Sequence, residues 1–145
     1  SINQLSQVSE RLNLVFGTID VIAWVIGGFS LIVGAFGIAN IMFVTVKERT
    51  KIIGLKKAIG ARSSSILWEF LLEAIVLCLL GGLIGILIVL ILSAVVTQFI
   101  GFDITLSMSN FFIGIFVSIF VGILSGVIPA LSASRLDPVV AIRTN

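Results

Sequence analysis

The sequence predicts an all-α membrane protein: three transmembrane helices, an N-terminal helix standing outside the membrane, and a short basic amphipathic helix on the cytoplasmic side. Three observations carry that expectation. The 145 residues are 59% hydrophobic and only 11% charged, with mean hydropathy +1.28. A soluble domain runs at about 45–50% apolar and about 25% charged, so this chain lacks the polar surface that water requires. The few charges leave three long uncharged runs, and the basic residues gather on one side of them.

The uncharged runs hold 26 residues between Asp20 and Lys47, 29 between Glu73 and Asp103, and 31 between Asp103 and Arg135. Crossing a hydrocarbon core of about 30 Å takes about 20 apolar residues in a helix. Each run therefore suffices for one crossing, placed at 21–46, 74–97 and 110–132. Lys47, Arg49, Lys51, Lys56, Lys57 and Arg62 lie between the first two spans, and Arg135 and Arg143 follow the third. Arg11 alone lies on the other side, and the connection 98–109 has no Lys or Arg. Basic residues mark the cytoplasmic side. The loop 47–73 and the tail 133–145 are thus expected inside, and the N-terminus and the loop 98–109 outside. An outside N-terminus without a signal-peptide pattern points to an earlier span and an outside domain in a longer parent protein.

Residues 1–20 are patterned without being membrane-spanning. Leu5, Val8, Leu12, Val15 and Ile19 recur at alternating three- and four-residue spacing, the seam of a coiled coil. No Pro or charge cluster separates this seam from the first span, so one continuous helix is expected, rising from the membrane as a stalk. A short surface helix is the alternative.

Within the spans, small residues recur. Gly34 lies in the first, Gly81 and Gly85 in the second, and Gly114, Ser118, Gly122, Gly126, Ala130 and Ser134 follow at strict four-residue intervals in the third. Such a stripe lets a neighbouring helix approach closely, since packing drives helix association in lipid. Tight packing within the chain and a dimer seam both fit. No span carries a charged residue at its middle, which argues against an ion channel or a proton-coupled carrier.

The loop reads KERTKIIGLKKAIGAR from Lys47 to Arg62. Ile52, Leu55 and Ile59 share one helical face, with Lys56 and Lys57 beside it. Gly60 suits a helix stop, and one of Ser63, Ser64 or Ser65 suits the next N-cap. Ile66, Leu67, Phe70 and Leu71 form the apolar face of a second helix that runs into the second span, with Trp68 at headgroup level. Adhesion to anionic lipid would by itself account for such a basic helix. At the other end, Pro129 is expected to end the third span, and Asp137-Pro138 to make a turn.

Catalysis and metal binding find no residues here. There is no His, and the single cysteine, Cys78, sits in an apolar run where it reads as a small packing residue. No G-x-x-x-x-G-K-[ST] phosphate loop occurs. The chain is not expected to be an enzyme, to hold a metal or cofactor, or to bind nucleic acid.

KERTKIIGLKKAIGAR (47–62), FLLEA (70–74), GGLIG (81–85) and PALSASRLDPVVAIR (129–143), with GIANIMFVTV (37–46) before the loop, resemble the FtsX-like permease family, closest to its MacB-type members. The resemblance covers about residues 25–143. It implies helices two to four of a four-helix permease whose first loop carries a coupling helix for a fused or separate ABC ATPase. Carried over by position, that element is Glu48, Arg49, Lys51, Ile52, Ile53, Gly54, Leu55, Lys56, Lys57, Ala58, Ile59, Gly60 and Ala61. It also implies ATP and Mg on the ATPase, a second permease copy forming a dimer, and the bacterial inner membrane as location. Beyond membrane lipid, an extracytoplasmic adaptor or substrate protein is a further partner. Work would be done outside by motion sent through the stalk, for export or lipoprotein release; regulation of a cell-wall hydrolase or a sensor kinase is the alternative. The sequence departs from the family in having Ile52 where an acidic residue is usual and Glu69 where Gln is usual. Glu73 occupies the acidic position at the cytoplasmic entrance to the span, placed to hold a basic residue of the loop. Gly54→Pro or Leu55→Asp is expected to abolish ATPase association without preventing insertion.

Overall fold

The computed structural model describes residues 2–101 and 107–143. Five helices follow in order: α1 Ile2–Glu48, α2 Thr50–Ile59, α3 Ser63–Ile100, α4 Met108–Ser134 and α5 Pro138–Arg143. Three of them, α1, α3 and α4, are long and apolar enough to cross a membrane. The protein is an all-α membrane protein.

The chain divides into two units, Ser1–Gly34 and Ala35–Asn145. The first holds only the N-terminal part of α1, whose side chains are exposed almost throughout. The alternating seam Leu5, Val8, Leu12, Val15 and Ile19 is open along its length.

The second unit holds the core, which sits at one end of the helix pair α3–α4. Met42 and Val46 from α1, Ile53 from α2, Ile66, Phe70, Leu71 and Ala74 from α3, and Ala130 and Ala133 from α4 form one buried cluster. Elsewhere the long helices present apolar side chains outward, as lipid requires.

Helix α4 lies against α3 through its four-residue stripe. A Cβ added at Gly122 would stand 2.8 Å from Ile75 Cα, and one at Gly126 would stand 2.5 Å from Ala74 Cβ. Gly82 faces the Ser118 side chain, and Gly114 meets only the tip of Ile86, at 3.4 Å. The glycines of α4 thus form a seam within the chain. Gly34, Gly81 and Gly85 have open space beside them.

Two boundaries differ from the sequence reading. Pro129 does not end α4, which continues to Ser134 with Pro129 buried inside it. Proline removes one helical hydrogen bond, but neighbouring helices make it tolerable in membrane helices, and Ala130 and Ala133 just beyond it are drawn into the core. The N-cap position of α3 is Arg62, extended at φ −77° and ψ 148° and without a side-chain cap, so Ser63, Ser64 and Ser65 form the first turn. Of the expected loop 98–109, residues 98–100 belong to α3 and 108–109 to α4, and residues 102–106 lie outside the described residues. Gly101 closes α3 in the left-handed conformation, and the Ser107 hydroxyl accepts from the Asn110 amide to cap α4.

Candidate functional site

The candidate site is α2 and what holds it. A single non-helical residue, Arg49, separates it from α1. Thr50 Oγ1 donates to the carbonyls of Val46 and Lys47 at 2.9 Å, serving two of the acceptors that a helix end leaves open. At the far end Gly60 is left-handed, at φ 118°. Its amide donates to the Lys57 carbonyl at 3.1 Å and the Ala61 amide to that of Lys56 at 2.9 Å. This is the Schellman closure, which favours glycine at the left-handed position.

Between these ends α2 has two faces. At 3.6 residues per turn, Ile53, Gly54 and Lys57 fall on one side and Ile52, Leu55 and Ile59 on the other. The first side is fully engaged. Ile53 is 2% exposed in the core. A Cβ at Gly54 would stand 2.6 Å from Ala141 Cβ, 3.2 Å from the Pro138 carbonyl and 3.3 Å from the Ile142 nitrogen, so α5 lies directly on the α2 backbone. Lys57 Nζ donates to the Leu136 carbonyl at 2.9 Å and to the Ser134 carbonyl, placing a cation at the negative end of α4.

The second side is open. Ile52, Leu55 and Ile59 are 53%, 55% and 79% exposed, three apolar side chains on a helix end rich in Lys. Lys56 beside them is tied to Glu69 on α3, Nζ to Oε1 at 3.0 Å. The sequence reading set both lysines next to the apolar face; the structure turns Lys57 to the opposite side. Arg49 Nη1 meets Glu73 Oε2 at 3.2 Å, which gives the entrance carboxylate a partner from the loop. Both pairs are solvent-facing, where an ion pair contributes about 0–1 kcal/mol. Glu73→Gln is therefore expected to shift the unfolding midpoint only slightly, as thermal denaturation in detergent would show; a large loss would mean that the pair is shielded by something further.

A family model described as FtsX-like permease C-terminal matches residues 24–138. The chain belongs to the FtsX-like permease family. Proteins named macrolide export ATP-binding/permease protein MacB are similar to this permease. One from Rhodopirellula baltica is 44% identical over 142 residues, covering 98% of the permease chain and 21% of its own. One from Syntrophobacter fumaroxidans is 42% identical, covering 99% and 20%, and that of Escherichia coli K12 is 40% identical, covering 86% and 19%. The permease chain spans about a fifth of the length of these relatives.

Within the permease, the residues carried over from the family fall into three groups. Ile52, Leu55 and Ile59 form the open face, with exposed Lys51 and Ala58 on its flanks. Ile53, Gly54 and Lys57 hold the helix in place, and Gly60 and Ala61 terminate it. Glu48 and Arg49 form the corner with α1. Sequence reasoning missed Ala141, Ser134 and Leu136 as parts of this site. The small residue Ala141, three places after the Asp137-Pro138 signal, was the only hint. Among the described residues no cluster of His, Cys, Asp or Glu is suited to a metal ion.

Proposed function

We propose that this permease is the membrane part of an ABC transporter of the MacB-like type, with α2 docking on an ATPase that binds ATP and Mg. The open Ile52–Leu55–Ile59 face carries this reading. Water penalises an apolar face left uncovered, and lipid adhesion alone does not call for a helix whose other side is held by α5 and the end of α4. An ATPase surface that buries these side chains supplies the cover. The relatives' names join ATP binding to a permease and give macrolides as their exported class, which is the substrate class to test first here.

In this reading two permease copies pair in the bacterial inner membrane, with the loop 47–73 and the tail on the cytoplasmic side. Motion set by ATP passes along α1 to an extracytoplasmic domain. Work done there requires no charged path through the spans, in keeping with runs that hold no charge. The stalk role of Leu5, Val8, Leu12, Val15 and Ile19 belongs to this proposal.

Affinity purification of the full-length parent protein from its native membrane tests the docking claim. A stoichiometric ATPase, as a separate chain or a fused domain, is the expected result. Retention of an extracytoplasmic hydrolase or a sensor kinase without transport activity would move the reading to signalling, and retention of no ATPase would sink the docking role. The stalk makes its own prediction. Leu12→Gly with Val15→Gly, each costing about 1 kcal/mol of helix stability, should leave ATP hydrolysis intact and abolish export by intact cells. Full export by the double variant would remove α1 from the mechanism.

A further inference from the structure

We infer that α5 is a clasp fastening α2 to the end of α4, with Gly54, Ala141 and Lys57 as the positioning residues that deliver movement of α2 to α4. The inference rests on the docking role proposed above and adds the route by which docking would be felt.

Two contacts of different kinds make the fastening. Gly54 lets α5 approach until its backbone touches that of α2, with Ala141 only 1% exposed and the Pro138 carbonyl 3.2 Å from where a Cβ would stand. Lys57 reaches the other way, its ammonium on the carbonyls of Ser134 and Leu136. One carbonyl belongs to the last residue of α4 and the other to the middle residue of the link from α4 to α5, which is only three residues long. Asp137 makes that link rigid: its Oδ1 accepts from the Val139 amide at 3.0 Å and its carbonyl from the Ala141 amide at 2.8 Å, with Pro138 at the first helical position.

The contrast with the other fastening of α2 matters. Lys56–Glu69 joins two long side chains at nearly half exposure, and such a pair can lengthen through water without moving either backbone. Contact between backbones across a glycine cannot, because packed interiors compress little. A displacement of α2 therefore carries α5 and the last turn of α4 with it. Since α4 is locked to α3 at Gly122 and Gly126, the pair moves as one body.

The test is hydrogen exchange measured by mass spectrometry on the full-length protein with its ATPase in lipid nanodiscs, with and without ATP plus vanadate. In the parent protein, residues 50–59 and residues 130–143 should both change protection with nucleotide. In Lys57→Met and in Gly54→Ala the response of 50–59 should persist and that of 130–143 should vanish. Basal exchange at 138–143 should rise in both, about tenfold in Lys57→Met, as expected for loss of a charge-assisted hydrogen bond. Lys57→Arg keeps donors for both carbonyls, and Gly54→Ala with Ala141→Gly moves the methyl group from one side of the contact to the other; both should restore the parent pattern. A 130–143 response equal to the parent's in both single variants would overturn the clasp. If 50–59 of the parent protein ignores nucleotide, the docking role fails instead. The clasp is then decided by basal exchange, and unchanged protection of 138–143 in both single variants overturns it.

Discussion

Leu55→Asp is expected to abolish the proposed docking of α2 on an ATPase while leaving the membrane-inserted fold intact. Leu55 is 55% exposed and lies outside the buried core cluster, so the folded core does not depend on it. In a docked complex it would be buried. Removing a buried Leu costs about 1.5–3 kcal/mol, and a carboxylate left there without a partner costs about 3–5 kcal/mol more. Together these weaken association by roughly a thousandfold or more. For a separate ATPase the readout is co-purification; for a fused one it is photocrosslinking from position 59, the most exposed of the three residues at 79%. Unchanged crosslinking alongside unchanged ATP hydrolysis would remove the open face from the docking role. Gly54→Pro, equivalent by sequence reasoning, is a poorer probe. It would disturb the Ala141 contact and the helix together, so loss of ATPase binding would have two causes.

That difference shows where the sequence was legible. The three long helices could be read because each holds an uncharged run long enough for lipid, although α1 and α3 extend past the charges that bound those runs. The face of Ile52, Leu55 and Ile59 could be read because helical periodicity is local. The other face of α2 could not. Gly54 looks like a weak point in a helix until Ala141, 87 positions away, is placed on it. Lys57 looks like one more basic residue until the carbonyls 77 and 79 positions on are brought to it. Glu73 could be expected to hold a basic residue of the loop, yet only the fold selects Arg49 from several. Pro129 misled because its local preference is strong, and packing of Ala130 and Ala133 overrides it.

Gly122→Leu should strongly destabilise the α3–α4 pair. The atoms nearest an added Cβ are the Ile75 Cα at 2.8 Å and the Ala74 carbonyl oxygen at 3.3 Å. These belong to the α3 backbone, which cannot rotate aside as a side-chain tip would. Three further carbons would force α3 and α4 apart along the Gly122–Gly126 stretch, where Ala74 and Leu71 pack as well. Lipid fills the gap as readily as protein does, so no hydrophobic force draws the helices back. Overpacking typically costs about 1–3 kcal/mol and occasionally more, and backbone contact puts this site at the upper end. Thermal unfolding in detergent measures it, with Gly114→Ala, which meets only the Ile86 tip, expected near neutral. A Gly122→Leu protein as stable as its parent would mean that the α3–α4 seam does not hold the pair together. Gly85→Leu completes the comparison, since Gly85 faces open space. It should leave the monomer's stability unchanged, and a loss seen only when two copies associate would assign the outer face of α3 to a dimer seam, separate from the seam that α4 already fills.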